Sequence, residues 1–455
     1  MQQLLQDGKF FGTESVWRIL YVITPPVVFT QLIQALYNIV DSFFVGHFSP
    51  DALTALSAIY PIQFMTIAFA VGTGTGVSTY MAKLYALGRT RKAGYTAGDG
   101  SLLAIAMWAV FALFAWLLLP GYARLTSSTP QVQDFSVIYG NIVCIGSLPL
   151  FLESIWTKVH QAGGDMRRPM EAQLAGSLTN IALDPLLIFG CCLLPGVEFP
   201  SLGVAGAAYA TVIGQSVAAA VTFRGGFRGP SRVHVEVFPI SKTIYRLGYP
   251  NILMQLLMTV YIVILNIILA RFSDAAVTVL GLYYRLQTFF FIPLGAMMTC
   301  IVPVLSYNYA LGDTNRCRKL MHISILIAAT FMIIGTFCFV VLPGPLISVF
   351  SHESEVFDIG IPAFRTIGWC FVPAVFSLIY PVFFQAIGKA IPSVWLSVTR
   401  QIFCLIPIFY LLSLIGVHWV WLAFPLSESI TGLVGILLYL RETNRWKQLR
   451  PHAIH

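Results

Sequence analysis

Apolar residues run through this chain in long unbroken stretches, separated by short polar turns. Leu102–Leu119 and Ile323–Leu342 are two such runs, and neither shows the every-second-residue alternation of a barrel strand. Segments of about 20 residues or more recur twelve times, near 17–45, 53–80, 97–120, 132–159, 169–194, 203–223, 244–270, 277–306, 320–342, 360–386, 392–415 and 419–440. Each is long enough for a helix to cross a bilayer. Hydrocarbon offers backbone groups no hydrogen-bond partner, so spanning segments must be helices or closed barrels. The pattern predicts an all-α integral membrane protein of twelve transmembrane helices.

The twelve segments are two sets of six. With an offset of 224 residues, Pro26, Gln31, Leu32 and Tyr37 fall on Pro250, Gln255, Leu256 and Tyr261. Tyr60 and Gln63 fall on Tyr284 and Gln287, Pro149 on Pro373, and Gln161-Ala162 on Gln385-Ala386. The tetrapeptide Tyr85-Ala86-Leu87-Gly88 returns as Tyr309-Ala310-Leu311-Gly312. An even number of spans per half gives both halves one orientation, so the repeat is parallel, a pseudo-two-fold about the membrane normal. That is a usual plan of secondary transporters. The expected organisation is an N-terminal lobe over 1–224, a linker over 225–243, a C-terminal lobe over 244–441 and a tail over 442–455. The linker holds Gly225, Gly226, Gly229, Pro230 and Pro239 and reads as a tether between lobes that move.

Composition supports this picture. The chain of 455 residues is 57% hydrophobic and 10% charged, too few charges to cover a soluble surface. Its net charge of +8 is concentrated on one side. Arg124 and Arg271 are the Lys and Arg residues of one set of loops; the opposite set holds Lys83, Arg89, Arg91, Lys92, Lys158, Arg167, Arg168, Arg316, Arg318, Lys319 and Lys389. The linker and tail join the basic side. By the positive-inside rule both termini face the cytoplasm, in a plasma or inner membrane. This accounts for the basicity without nucleic acid. The acidic stretch Ser351-His352-Glu353-Ser354-Glu355 with Asp358 reads as an extracellular turn. No cleavable signal is read, and the first span serves as the signal. The eight cysteines lie mostly in apolar runs, as at Cys191-Cys192 and Cys338, with neither disulfide nor metal spacing.

Ionisable side chains within spans carry the candidate chemistry, because each costs a few kcal/mol or more at mid-bilayer. Asp41, Glu153, Asp184 and Glu428 are the acids; Arg285 and Arg400 are the clear bases, with Arg365 nearer a helix end. Tyr37 and Asp41 are four residues apart and share a helix face, beside Gln34 and Asn38. Asn180 and Asp184 are spaced alike. Both helices run outward and both acids come late in them, so they lie at similar depth in the first lobe. Two carboxylates, an amide and a phenol make an oxygen-rich site for Na⁺, or for a proton on a carboxylate that burial and a like-charged neighbour keep protonated. Tyr139 and Thr211 are weaker helpers. The alternative is that each acid only stabilises helix packing. Asp41 maps to Leu265 and Asp184 to Ile408, which confines the coupling chemistry to the first lobe. Arg400 and Glu428 read as a structural ion pair. Pro26 kinks the first helix, as a static bend or as a hinge. Gly72, Gly74 and Gly76 follow no strand and lack a lysine, so they read as helix packing.

Nearly the whole chain resembles the multidrug and toxic compound extrusion (MATE) transporters. The resemblance rests on Asn38-Ile39-Val40-Asp41 with Val45-Gly46, Gln161-Ala162-Gly163-Gly164-Asp165, Leu178–Pro185, Gly203–Thr211, Arg400-Gln401 with Pro407, and Pro425-Leu426-Ser427-Glu428. It implies a V-shaped pair of six-helix lobes that exports cationic amphipathic compounds in exchange for H⁺ or Na⁺. In one branch the coupling acids lie on the first and fifth helices, where Asp41, Asn180 and Asp184 match. Other branches use acids on the seventh and tenth helices; here the tenth span has no acid after Asp358. His160 stands where many members carry Arg.

The expectation is therefore a cation-coupled exporter of small cationic compounds, surrounded by lipid, without a cofactor beyond the coupling ion, and monomeric. The alternative within transport is a lipid-linked oligosaccharide flippase of the related superfamily, which calls for a more cationic cavity. A membrane enzyme lacks its constellation, with no HExxH, GxSxG or clustered His in the sequence. A passive channel is disfavoured by the two-lobe repeat.

Overall fold

The computed structural model describes residues 9–127, 129–190, 192–194, 197–198, 201–229, 234–350 and 353–448. A short helix α1 (Phe10–Thr13) leads into α2 (Val16–Phe48), α3 (Pro50–Ala86), α4 (Thr90–Thr126), α5 (Pro130–Ile145), α6 (Leu148–Gly163), α7 (Arg167–Phe189) and α8 (Val204–Gly226). A small antiparallel hairpin, β1 (Cys192–Leu194) with β2 (Val197–Glu198), joins α7 to α8. The second series is α9 (His234–Leu269), α10 (Asp274–Phe290), α11 (Ile292–Ala310), α12 (Thr314–Val341), α13 (Pro343–Ser348), α14 (Ser354–Gly368) and α15 (Phe371–Ala386). It closes with α16 (Ala390–Val398), a π-helical segment Thr399–Leu405, α17 (Ile406–Ser413), a 3₁₀ turn Val420–Leu422 and α18 (Ala423–Gln448). Among the described residues ten helices are long and apolar enough to cross a membrane, and counting each of two bent pairs as one span gives twelve. The protein is an all-helical membrane protein, as the apolar pattern predicts.

The repeat is visible in how elements start and stop. Pro50 opens α3, and Asp274, its counterpart, opens α10; Ala86 and Ala310 close the corresponding spans. In both halves the Tyr-Ala-Leu-Gly tetrapeptide ends the helix on a glycine with φ of 71° (Gly88) or 77° (Gly312), a backbone conformation that other residues adopt only at a cost. The bent pairs are also counterparts: α5 and α6 meet at 44°, α14 and α15 at 55°. Pro149 and Pro373 explain both bends. Each lacks an amide hydrogen for the carbonyl four residues back, Ile145 or Trp369, at the break.

The halves differ in detail. The span expected over 277–306 is two helices, α10 and α11, meeting at Phe291. The eleventh span passes through seven residues of π-helix. A helix already begins at His234, within the stretch expected as a tether. Cys191, Pro230, Ser351, His352 and the tail beyond residue 448 lie outside the described residues.

Residues group into two compact units. The first holds Pro25–Ile252; the second holds Phe11–Thr24 with the chain from Leu253 onward. The first unit has a core of Val45, Leu56, Ile59, Leu119, Tyr139, Val143, Ile188 and Ala207 at one end of its bundle. The second is built on aromatics: Phe339 lies with ring centroids 4.7 Å from Phe371 and 5.0 Å from Phe364. Phe11–Thr24 belongs to it through Asn308, which donates to the Phe11 carbonyl at 3.1 Å, and Arg316, which donates to the same carbonyl at 2.9 Å and to the Glu14 carbonyl.

Candidate functional site

In the first unit a buried polar cluster is assembled from four helices. Asp41 on α2, Tyr139 on α5, Asn180 and Asp184 on α7 and Thr211 on α8 are all buried, and Asp184 is fully enclosed. Glycine sets the spacing of α7 and α8. A Cβ on Gly176 would stand 2.7 Å from the Gly214 carbonyl oxygen, and one on Gly214 3.1 Å from Asn180 Cβ. Backbones can approach this closely only without those side chains. The approach puts Asn180 against Thr211: the amide donates to the hydroxyl at 3.4 Å, and the hydroxyl donates to the Ala207 carbonyl at 3.0 Å. The Tyr37 and Tyr139 hydroxyls lie within hydrogen-bonding reach of Thr211, and Asp41 and Asp184 within electrostatic reach of each other. Pro185, next to Asp184 inside α7, also withholds a donor from the Ile181 carbonyl.

The oxygens of this cluster are short of donors. Asp41 Oδ1, Asn180 Oδ1 and both carboxylate oxygens of Asp184 are buried with no hydrogen-bond partner among the described residues. A buried carboxylate without partners is costly in its charged form by several kcal/mol. Protons or a bound cation remove that cost. The donor set is carboxylate, amide and hydroxyl oxygen, which suits a hard cation rather than a soft metal. Among the described residues no group of three or more His, Cys, Asp or Glu side chains forms a metal site.

Thus the structure brings Asp41, Asn180, Asp184, Tyr37, Tyr139 and Thr211 together. Gln34 and Asn38 are exposed on α2. Pro26 sits within α2, which continues through it and through Pro25 as one helix. Glu153 on α6 accepts a hydrogen bond from Thr157 at 2.6 Å. Gln63 on α3 escaped the sequence reading as a site residue; its amide donates to the Tyr139 hydroxyl at 3.3 Å. Its signal was available, since a polar residue inside a span is kept in both halves, at Gln63 and Gln287.

The second unit places different chemistry at its centre. Arg400 and Glu428 are paired through three contacts of 2.7–3.0 Å, and the Ser377 hydroxyl donates to Glu428 Oε2. Tyr261 and Tyr283 lie near the guanidinium, and the Tyr283 and Tyr284 rings are tilted at 48° with centroids 5.1 Å apart. Arg400 lies in the π-helical segment, whose widened turn re-aims side chains. Ser377 and Tyr283 were not legible, because a hydroxyl or phenol in an apolar run carries no spacing signal; Tyr261 was marked by the repeat as the counterpart of Tyr37. Arg285 is exposed and outside this cluster. In Arg365 the helix end noted from the sequence is the break between α14 and α15.

Near the α6–α7 turn, His160 has Nε2 3.1 Å from the Thr222 carbonyl and Nδ1 3.5 Å from Asp165. Burial works to raise the Asp165 carboxyl, but hydrogen bonds from His160 and from the Arg168 and Arg167 amides overcome it and hold it below its ordinary value.

Comparison with known proteins agrees with this architecture. The MatE family model matches twice, over residues 26–186 and 250–411, and the two matches start 224 residues apart, as the repeat does. A FAD transporter of Shewanella oneidensis strain MR-1 is 23% identical, covering 94% of this chain and 95% of that protein. The multidrug export protein MepA of Staphylococcus saprophyticus is 21% identical, covering 94% of each. Among solved structures, a MOP superfamily transporter from Pyrococcus furiosus superposes with a TM-score of 0.88 at 22% identity, covering 98% of each chain.

Proposed function

Since this chain belongs to the MatE family of transporters, we propose that it is a secondary antiporter that exports cationic amphipathic compounds in exchange for H⁺ or Na⁺. The observation that carries this reading is the pair of buried acids, Asp41 and Asp184, of which Asp41 Oδ1 and both Asp184 oxygens lack donors among the described residues. In this reading Asp41, Asn180 and Asp184 hold the coupling cation, with Tyr37, Tyr139 and Thr211 positioning it. Arg400 and Glu428 satisfy each other and serve structure. Cargo and coupling cation must favour different conformations, because a ligand that binds both states equally shifts nothing. Both termini face the cytoplasm of a plasma or inner membrane, by the loop charge asymmetry.

The name of the FAD-transporting relative favours a second reading, export of an anionic dinucleotide-like cargo by the same coupling site. Inverted vesicles separate the two. A panel of lipophilic cations, FAD and a lipid-linked sugar is offered under imposed pH or Na⁺ gradients. Gradient-dependent uptake of the cations supports the leading reading. Gradient-dependent uptake of FAD alone transfers it to the second. Movement of the lipid-linked sugar alone rejects both.

A further inference from the structure

Arg365 is exposed on α14 and forms no ion pair with any described residue. The span made by α14 and α15 has its midpoint at the Trp369–Cys370 break. Arg365 precedes that point by about 7 Å along the axis, so its Cα lies inside a hydrocarbon half-thickness of ~15 Å. A charge at that depth needs a counter-charge, or must reach for the interface with its flexible stem.

The surroundings specify what meets it. Arg365 lines a groove of about 460 Å³ with Thr366, Trp369, Leu422, Leu426 and Ser429. The groove opens onto a stripe of exposed apolar residues on α18, namely Leu426, Ile430, Leu433 and Leu437. That spacing is one helix face, and on a membrane-length helix it is a track for an acyl chain. Asp358 is exposed two turns before Arg365, toward the Ser354 end of α14, hence on the same face and ~10 Å nearer the interface. A carboxylate nearer the surface and a guanidinium deeper match a headgroup with its ammonium outermost and its phosphate beneath.

We propose that the groove between α14 and α18 is a binding site for a phosphoethanolamine-headed phospholipid. Its phosphate meets the fork of Arg365, its ammonium meets Asp358, and one acyl chain lies along Leu426, Ile430 and Leu433. Arginine suits the deeper position because its planar fork takes two phosphate oxygens at once. This site is separate from the acid cluster and does not depend on the exchange reaction.

The test is native mass spectrometry of the full-length protein offered equal amounts of phosphatidylethanolamine, phosphatidylglycerol and phosphatidylcholine. Wild type is expected to retain phosphatidylethanolamine over the other two. Arg365→Gln is expected to lower that retention about tenfold, the effect of losing a charged hydrogen-bond pair. Asp358→Asn, a change at an exposed position, is expected to keep phospholipid binding but erase the preference for phosphatidylethanolamine over phosphatidylglycerol. Unchanged retention in Arg365→Gln overturns the site. So does a preference that survives in Asp358→Asn, or a wild type that holds the three lipids equally. Loss of all lipid in Asp358→Asn means that the carboxylate merely positions the arginine, and it overturns the headgroup assignment.

Discussion

In the proposed exchange Asp41 and Asp184 are the coupling acids, because a buried carboxylate short of donors among the described residues is costly in its charged form. It must take a proton or a cation. Asn180 and Thr211 are the partners that aim the site. Thr211→Val keeps the shape, removes the hydroxyl that accepts from Asn180, and withdraws it from Tyr37 and Tyr139. A net hydrogen bond of about 1 kcal/mol is close to a fivefold change, so the variant should fold and need severalfold more coupling cation for half-maximal exchange. Arg400 and Glu428 are the contrasting case. Removing one partner of a buried pair leaves a charge stranded at a cost of about 3–5 kcal/mol. Arg400→Met should therefore lower thermal stability in detergent sharply, whereas Arg400→Met with Glu428→Leu should recover most of the loss. Equal losses in the single and double variants would show that the pair acts on something other than its own burial.

At the scale of elements, counterpart positions keep a structural task and change its chemistry. Asp165 and Lys389 are counterparts by the 224 offset. The first is held by His160 and two helix amides; the second pairs with Glu442 on α18 at 2.6 Å. Asp165 caps α7, and its carboxyl is held below its ordinary value. A depressed folded-state value contributes stability above the ordinary carboxylate range and loses it as pH falls through the folded value. Protection from hydrogen exchange in the α7 N-terminus, taken relative to the intrinsic rate at each pH, should accordingly fall on acidification below that range in wild type, and should be low and independent of pH in Asp165→Ala. The α7–α8 contact gives a sharper test. Gly214→Leu must move either the Gly176 carbonyl or Asn180, so it should impair exchange even where the protein remains folded, while Gly121→Leu, with open space around its Cβ, should leave exchange intact.

For the whole molecule, the span count and the repeat were legible in the sequence because both are carried by strong periodic signals: apolar runs of membrane length, and identities such as Tyr85–Gly88 with Tyr309–Gly312. The first-unit cluster was largely legible too, since Tyr37 with Asp41 and Asn180 with Asp184 are four residues apart on helices of like direction. The repeat marked Gln63 through Gln287, but not its partner: Tyr139 lies 76 residues away, and no spacing rule connects two helices. The π-helical turn around Arg400 was invisible for a related reason: it is a local departure on a sequence that reads as ordinary helix. The break at Phe291 did carry a signal, Pro293, which has no amide hydrogen for the Phe289 carbonyl. The asymmetry between halves was plain from Leu265 and Ile408, which fill the counterpart positions of Asp41 and Asp184 with apolar side chains.

The central claim is that cargo flux is tied to cation movement through those two acids. The direct measurement is cation counterflow in proteoliposomes: cargo is added on one side while internal pH or radioactive sodium is followed, for wild type, Asp41→Asn and Asp184→Asn. In wild type, cargo should drive one of the two cations in the opposite direction. In each variant the protein should reconstitute with normal orientation and stability, and cargo should no longer move either cation. Cargo-driven cation movement at the wild-type rate in both variants would contradict the account and make the two acids structural.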